Sequence, residues 1–213
     1  SAASDVYKRQ EHILFKIQYP AEFHAQTAVE AAIKLHESVA SKLEIIDKIV
    51  IRTQEPAIRI ISKVGKLANA ADRDHCIQYM VAVGLIFGDL IAEYYEDDFH
   101  QENQLIDKLR DKMIIEEDNQ FSMDYLDPEK RSIANAVQVF FNDGTCSDDI
   151  QIEYPIGHKK RREEGIPLLE EKFWNNLNTC FDKDKSKLIY DLCLDQEKLE
   201  KTKVHEFMEL FVK

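Results

Sequence analysis

The sequence predicts an α+β fold, in which strands and helices are mixed as far as Pro155 and only helices follow. Residues 45–53 are dense in β-branched side chains, and residues 133–141 place apolar side chains at alternate positions, as strands do. Stretches with apolar residues at helical spacing separate these two segments. Beyond Pro155 only the helical spacing recurs, so the carboxy-terminal part is predicted to be helical.

Two elements are predicted ahead of the first clear strand. Alternating apolar and polar residues over residues 11–19 indicate a half-buried strand or an extended segment. A helix is predicted next, because Thr27 and Glu30 have the spacing of a capping box, and it should end near Leu43. The residues predicted to share one face of this helix are Val29, Ile33, His36 and Ala40.

A strand, a short helix and a long helix are predicted next. Residues 45–53 form the strand, and Pro56 then suits the first turn of a short helix. After a loop, residues 73–94 show a helical pattern, which Gly84 and Gly88 should weaken or bend. The residues predicted to line one stripe of the long helix are His75, Tyr79, Val83 and Phe87.

A β-hairpin is predicted further along the chain. Residues 106–112 indicate a helix and residues 113–117 an extended segment. The strand at residues 133–141 precedes a turn at residues 142–145 and a partner strand at residues 150–154.

The carboxy-terminal part starts with a basic run, residues 158–162, and is helical in pattern thereafter. Pro167 is expected in the first turn of its first long helix. Residues 185–194 and 204–212 indicate further short helices, and the charged residues 196–203 between them should be solvated.

The composition predicts a globular protein without a membrane span or a nucleic-acid surface. The 213 residues are 44% apolar and 32% charged, which is enough to bury a core. The net charge of -12 argues against nucleic-acid binding, which requires a basic surface, although a local basic pocket can hold a small anion. The longest apolar run, residues 79–88, is about half of the roughly 20 residues that a membrane-spanning helix needs.

The sequence contains no motif for a metal, a nucleotide or a covalent nucleophile. Its four cysteines lie far apart without a C-x-x-C pair, so free thiols in a reducing cytosol are expected rather than metal ligands. Its six glycines form neither a G-x-G-x-x-G nor a P-loop motif. No G-x-S-x-G elbow is present, which disfavours serine hydrolysis.

Three segments carry a resemblance to a known family. They are YPAEFHAQT at residues 19–27, followed by an alanine-rich stretch, DRDHCIQYM at residues 72–80, and YLDPEKRS at residues 125–132. Together they resemble the MmgE/PrpD family, and within it the 2-methylcitrate dehydratase branch. The similarity extends from about Phe15 to Phe173 and then fades into generic helix.

The resemblance implies a fold in which a large helical domain carries an inserted α+β lid. Residues 11–155 would be the small mixed α/β lid, and residues 156–213 would be helices returning to a larger, mostly missing helical domain. On this interpretation the chain is a carboxy-terminal fragment that is inactive alone. Residues 1–10 resemble a translated sequencing adapter and are predicted not to be of biological origin.

The resemblance also implies an activity. Members of this branch are cofactor-independent lyases that dehydrate 2-methylcitrate to 2-methyl-cis-aconitate in propionate catabolism, and a homodimeric, cytoplasmic parent enzyme is expected. Its partner would be a small tricarboxylate, with no cofactor, nucleic acid or membrane. Two alternatives stay open: a tricarboxylate decarboxylase or isomerase of the same family, and a noncatalytic α+β interaction module.

His24 is the first candidate catalytic residue. It lies just before a predicted helix, whose macrodipole disfavours the imidazolium and favours the neutral ring. A neutral imidazole can act as a base and its protonated form as an acid, although a histidine here can also be a capping or packing residue. The resemblance implies the catalytic role, because family members carry a substrate-facing histidine ahead of an alanine-rich helix.

Tyr79 is the second candidate catalytic residue. A phenol can protonate a leaving oxygen or bind a carboxylate, whereas periodicity alone would make Tyr79 a packing residue of an amphipathic helix. The resemblance implies the functional role through a similar Gln-Tyr context, here Gln78 and Tyr79. His75 could orient Tyr79 or be an ordinary core or surface histidine, and the assignment of acid and base between His24 and Tyr79 stays open.

Three residues are predicted to bind substrate, and none to bind a metal. Gln26 could hydrogen-bond a carboxylate or simply occupy the first helical turn, and Gln78 is implied by its family context. Arg131 and the basic residues 159–162 could hold carboxylates, although a charge run is usually a solvated face.

Overall fold

The computed structural model describes residues 13–212, so the adapter-like residues 1–10 lie outside the described residues. The chain divides between Arg161 and Arg162 into two compact units. The first unit combines a four-stranded sheet with helices, and the second contains only helices among its described residues. The predicted α+β class is confirmed.

A mixed four-stranded sheet organises the first unit. Its strand order is β2-β1-β3-β4, with β1 parallel to β2, β1 antiparallel to β3, and β3 antiparallel to β4. The strands predicted at residues 45–53 and 133–141 and the predicted hairpin are confirmed. The strands are β1 (Ile46–Thr53), β2 (Met113–Glu117), β3 (Asn135–Phe141) and β4 (Ile150–Ile152).

Helices of the first unit pack around this sheet and around one another. The α-helices are α1 (Gln26–Val39), α2 (Glu55–Ile61), α3 (Ala70–Asp74), α4 (Ile77–Phe87), α5 (Asp97–Glu102), α6 (Leu105–Arg110) and α7 (Asn119–Leu126). Short 3₁₀ turns lie at Phe23–Ala25, Ala40–Ile45, Ala92–Tyr95 and Lys159–Arg161.

The core of this unit lies where α1 packs on α4 and on the β3–β4 face of the sheet. Small residues let the two helices approach closely: a Cβ added to Gly84 would lie 3.0 Å from the Ala32 Cβ atom. Gly84, predicted to weaken or bend the helix, instead lies inside α4 at this crossing. Burying a side chain such as that of Leu35 in this core stabilises the fold by roughly 1.5–3 kcal/mol.

The prediction of a single long helix at residues 73–94 is wrong. The chain forms α3, leaves the helix at His75 and Cys76, and resumes as α4. Gly88 then ends α4 in the left-handed conformation, with φ 68°, and its N–H bonds the Gly84 carbonyl at 3.0 Å. A glycine is required there, because a Cβ at position 88 would lie 2.7 Å from the His36 ring.

The capping box predicted at the start of α1 is also wrong. Its two residues face inward: the Thr27 hydroxyl donates to the Ile133 carbonyl at 2.6 Å, and Glu30 pairs with Arg161. The helix begins at Gln26, directly after a 3₁₀ turn, and ends at Val39 before a second 3₁₀ turn. The two side chains therefore bind groups that are distant in sequence instead of the backbone N–H groups of their own helix end.

Helix α7 was not predicted. Asp118 caps it, since its carboxylate accepts from the backbone N–H groups of Gln120 and Phe121. An Asp followed by a short helical segment could have indicated this element. Residues 13–19 form no regular element, although Ile17 and Tyr19 are buried.

The second unit is a set of four described helices. They bury few side chains, notably Leu177, Ile189 and Leu192. Pro167 lies inside the first of them rather than in its first turn, so that prediction was wrong. The charged stretch 196–203, predicted to be solvated, contains a short helix without buried residues. The helices are α8 (Arg162–Cys180), α9 (Lys183–Leu194), α10 (Gln196–Lys201) and α11 (Val204–Glu209).

Two further predictions are answered by the described residues. All four cysteines are free thiols, as expected. Within residues 13–212, no helix has the length and apolar character needed to cross a membrane.

Candidate active site

His24 lies in the 3₁₀ turn Phe23–Ala25, which leads directly into α1. Glu22 caps this turn, because its carboxylate accepts a hydrogen bond from the backbone N–H of His24 at 2.8 Å. From β3, the side-chain amide of Asn135 donates to the His24 carbonyl at 2.7 Å. The position of His24 is therefore fixed by its own turn and by the sheet.

The His24 ring lies between a carboxylate and a phenol. Its Nδ1 is 2.9 and 3.0 Å from the two Glu22 carboxylate oxygens, and its Nε2 is 3.2 Å from the Tyr125 hydroxyl. Burial alone would raise the pKa of Glu22, but hydrogen bonds and charge from His24 outweigh burial and lower that pKa below its usual value. Glu22 is thus an ionised acceptor at neutral pH.

A cavity of about 240 Å³ opens beside Tyr125. Two cationic side chains, Arg131 and Lys159, line it together with Tyr125 and the buried His158. Tyr125 links the cavity to His24, since its side chain lines the cavity and its hydroxyl contacts the His24 ring. The remaining wall is apolar and consists of Ile13, Leu14 and Ile133.

Arg131 reaches this cavity from an unusual backbone conformation. Its φ of 46° lies in the left-handed region, which costs a non-glycine residue on the order of 1 kcal/mol or more. The turn that follows α7 holds this conformation, because the Arg131 N–H bonds the Asp127 carbonyl at 2.8 Å and Lys130 pairs with Asp124 at 2.8 Å. The predicted substrate-binding residue Arg131 is therefore at the candidate site.

The residues of the basic run have different contacts. Lys159 lines the cavity, whereas the Lys160 ammonium donates to the Tyr154 hydroxyl at 2.7 Å. Arg161 forms a bidentate ion pair with the buried Glu30, with N–O distances of 2.7 and 3.1 Å. Of these three residues, only Lys159 is positioned to meet a ligand in the cavity.

A tight backbone contact places the residues that precede this run. The Phe15 N–H donates to the Gly157 carbonyl at 3.3 Å. Gly157 has φ 102°, and a Cβ there would lie 2.1 Å from the Phe15 carbonyl oxygen, so only glycine fits. The neighbouring His158 ring stacks on Tyr154, with 4.5 Å between centroids, and so forms a fixed part of the cavity wall.

The structure does not bring Tyr79 to the site formed by Glu22, His24, Tyr125 and the cavity. Tyr79 is fully buried in α4, and its hydroxyl donates to the Tyr94 carbonyl at 2.6 Å. Burial raises the pKa of the Tyr79 phenol above its usual value. His75 lies 3.2 Å from Asp74 through its Nδ1 atom. The catalytic role of Tyr79 stays a prediction.

Gln26 and Gln78 hold main chain and neighbouring side chains in place. The Gln26 amide donates to the carbonyls of Tyr19 and Ala21, both at 2.8 Å. The Gln78 amide donates to the Ser62 hydroxyl at 3.1 Å, and its carbonyl accepts from the Lys63 N–H at 3.2 Å. Gln26 is 5% and Gln78 is 4% exposed, and their substrate-binding roles stay predictions.

The candidate site combines a histidine base with two cationic side chains that line the cavity. A histidine oriented by a carboxylate can accept or return a proton, and Arg131 and Lys159 can neutralise carboxylates on a small anionic molecule. Within residues 13–212, no three His, Cys, Asp or Glu side chains are grouped to hold a metal ion.

A sequence model of the MmgE/PrpD C-terminal domain matches residues 19–196. The chain belongs to the MmgE/PrpD family. The resemblance that the sequence motifs carried is thereby confirmed.

Several MmgE/PrpD relatives are similar over nearly the whole chain. The 2-methylcitrate dehydratase of Salmonella typhimurium is 52% identical over 205 residues, which are 95% of this chain and 42% of that protein. The Escherichia coli 2-methylcitrate dehydratase is 51% identical over the same shares. A probable 2-methylcitrate dehydratase of Saccharomyces cerevisiae is 51% identical over 94% of this chain and 40% of that protein. The chain thus spans about two fifths of these relatives.

Sequence reasoning missed two residues of the site in this MmgE/PrpD chain. Glu22 could have been noticed as a cap two residues before His24. Tyr125 lies in a segment that carried the family resemblance, but its distance of 101 residues from His24 gave no local signal. Only the tertiary fold, which places Tyr125 of α7 beside the 3₁₀ turn that carries His24, brings the two rings together, with 5.7 Å between their centroids.

Proposed function

We propose that this chain is the carboxy-terminal part of a 2-methylcitrate dehydratase, a hydro-lyase that converts 2-methylcitrate to 2-methyl-cis-aconitate in propionate catabolism. The observation that carries the proposal is identity of 51–52% to proteins of that name across 94–95% of the chain. In the full-length parent, residues 11–155 would be the lid and residues 156–213 the returning helices.

The chemistry of the site supports the proposal. Elimination of water from a β-hydroxy acid needs a base for a carbon-bound proton, and a tricarboxylate needs cations. His24 supplies the base, held by Glu22 through Nδ1. Arg131 and Lys159 supply positive charge at the cavity that adjoins the His24–Tyr125 contact. Proton transfer and charge neutralisation are within the chemistry of these side chains, so the proposal includes no cofactor.

The remaining parts of the proposal concern Tyr79, the two glutamines and the assembly. Tyr79 is proposed as a second proton-transfer residue and Gln26 and Gln78 as substrate contacts, which requires their present hydrogen bonds to be exchanged in the parent. The parent is proposed to be a cytoplasmic homodimer that binds no nucleic acid, the last in keeping with a net charge of -12. Light scattering of the parent measures its subunit number.

The function is tested in the full-length parent by following the absorbance of the conjugated product formed from 2-methylcitrate. His24→Asn is expected to lower kcat by about 10²–10⁴-fold, the usual contribution of a general acid or base. Absence of dehydration of any tricarboxylate by the wild-type parent would refute the proposed function.

Two further measurements separate the remaining assignments. Tyr79→Phe in the parent removes one buried hydroxyl, and an unchanged kcat would remove Tyr79 from the proposed machinery. Product analysis with cis-aconitate and with 2-methylcitrate, run in parallel, distinguishes dehydration from decarboxylation or isomerisation. Carbon dioxide release from cis-aconitate as the main reaction would contradict the assignment.

A further inference from the structure

We propose that Tyr125 is a catalytic residue, the phenol through which His24 exchanges a proton with the substrate, and that Glu22 is the positioning residue that fixes the His24 tautomer. The inference rests on the proposed function, since it concerns the same dehydration. It assigns to Tyr125 and Glu22 roles that the sequence did not indicate.

The geometry places Tyr125 between the histidine and the cavity. His24 is only 14% exposed and meets the cavity wall through the Tyr125 hydroxyl, 3.2 Å from Nε2. Tyr125 itself lines the cavity together with Arg131 and Lys159. A carboxylate held by these two cations would therefore lie next to the phenol, with His24 behind it.

The element that carries Tyr125 is firmly anchored. Asp118, the cap of α7, accepts a hydrogen bond from Arg52 of β1 at 2.8 Å. Further along α7, the Ser122 hydroxyl accepts from the backbone N–H of Glu55 at 2.9 Å. Because α7 is tied to both the sheet and α2, the Tyr125 ring is held at a defined distance from His24, as a proton-transfer pair requires.

The Glu22 carboxylate determines which nitrogen of the His24 ring carries the proton. Both of its oxygens are within 3.0 Å of His24 Nδ1, and an ionised carboxylate can only accept, so Nδ1 carries the proton. In the neutral ring Nε2 then has a lone pair, and the Tyr125 hydroxyl donates to it. The opposite tautomer would place the Nδ1 lone pair against the Glu22 carboxylate oxygens, with no hydrogen between them, and is disfavoured.

This tautomer defines a proton relay. The Tyr125 O–H bond breaks as the proton moves to Nε2, and the resulting imidazolium is stabilised by Glu22. The phenolate oxygen then takes the proton from the substrate carbon, and the C–H electron pair becomes the double bond. The C–O bond breaks with its electron pair on the hydroxide, which takes the Tyr125 O–H proton and leaves as water, while the proton on His24 Nε2 moves back to the Tyr125 oxygen. Tyr125 and His24 return to their starting states.

The tautomer is tested on the chain itself, without any assay of activity. Histidine side chains are labelled with ¹⁵N, and the His24 signal is assigned by its loss in His24→Asn. In the neutral ring we expect a protonated Nδ1 and an unprotonated Nε2, and Glu22→Gln should shift the population toward the other tautomer. A protonated Nε2 in the neutral wild-type ring would overturn the assignment.

The catalytic role is tested by kinetics in the full-length parent. Tyr125→Phe keeps the ring and is expected to lower kcat by about 10²–10⁴-fold with a KM changed far less. Tyr154→Phe is the matched control, because Tyr154 is also a half-buried tyrosine and the change removes one hydrogen-bonded hydroxyl while keeping the ring that stacks on His158. Wild-type kcat in Tyr125→Phe, or an equal loss in Tyr154→Phe, would refute the proposal.

The positioning role has its own signature. Glu22→Gln should lower kcat, and Glu22→Asp, which keeps a carboxylate, should recover part of that loss. A Glu22→Asp variant no better than Glu22→Gln would contradict positioning by charge. An inactive wild-type parent would instead sink the proposed function, and the tautomer measured on the chain would then decide the Glu22 assignment alone.

Discussion

Removing one positive charge from the cavity should weaken substrate binding rather than slow the chemical step. Arg131 and Lys159 line the cavity, whereas Lys160, the next residue in the basic run, is bonded to the Tyr154 hydroxyl. Lys159→Met and Lys160→Met therefore form a matched pair of neighbouring charge removals. Arg131→Gln completes the set at the other cation.

The magnitude follows from the setting of each cation. A hydrogen bond to a charged group contributes roughly 1.5–3 kcal/mol when it is well sheltered, and about 1 kcal/mol or less when solvent screens it. Arg131 is an exposed residue, so solvent partly screens its charge and the lower end applies. We expect KM of the parent to rise about 3- to 5-fold in Arg131→Gln and in Lys159→Met, with kcat nearly unchanged.

The assay measures kcat and KM separately from the absorbance of the conjugated product, at low and at high salt. Because salt screens the charge of the cations, the difference in KM between wild type and each cavity variant should become smaller as the salt concentration rises. Lys160→Met should leave KM within about 2-fold of wild type, since its charge is directed to Tyr154. If Lys160→Met raised KM as much as Lys159→Met, or if Arg131→Gln lowered kcat at unchanged KM, the reasoning would be refuted.

Three predictions concern stability and are checked by urea unfolding of the chain. Gly84→Val should destabilise it by about 1–3 kcal/mol, because the added side chain meets Ala32, and an unchanged midpoint would contradict the close helix crossing. Thr27→Val should cost about 1–3 kcal/mol by leaving the buried Ile133 carbonyl unpaired, whereas Thr27→Ser should lose only about 1 kcal/mol. The pKa of Glu22 is lowered in the folded chain, so its ionised form stabilises the fold. This contribution is fully present above the usual glutamate pKa of about 4.3 and disappears as pH falls through the lowered pKa. The difference in unfolding free energy between wild type and Glu22→Gln should therefore shrink on acidification, and a pH-independent difference would exclude the linkage.

The strands could be predicted from the sequence because their signals are local. Residues 46–53 and 135–141 carry β-branched and alternating apolar residues, and the turn between β3 and β4 is an Asn-Asp-Gly-Thr sequence. Helix boundaries were less predictable, since tertiary contacts decided them. Gly88 ends α4 where only a glycine fits beside His36, a constraint that no local pattern contains.

The site was predicted only in part, for a similar reason. His24 and Arg131 could be chosen from the chemistry of their side chains and the family resemblance, and both lie at the cluster that contains the cavity. Lys159 was one of four basic residues with equal claims in sequence. Tyr125 could not be chosen, because phenols are common packing residues and its partner is 101 residues away. Long-range packing, rather than side-chain type, distinguished these residues from their neighbours.

The contacts that position His24 also hold the fold together. Asn135, at the start of β3, donates to both the His24 carbonyl and the Thr27 hydroxyl, and that hydroxyl bonds the Ile133 carbonyl. Any change that shifts β3 relative to α1 must therefore move the histidine relative to Tyr125, which α7 holds. Since proton transfer over 3.2 Å is sensitive to such shifts, variants at Asn135 should impair catalysis even though this residue touches neither the cavity nor the reacting groups.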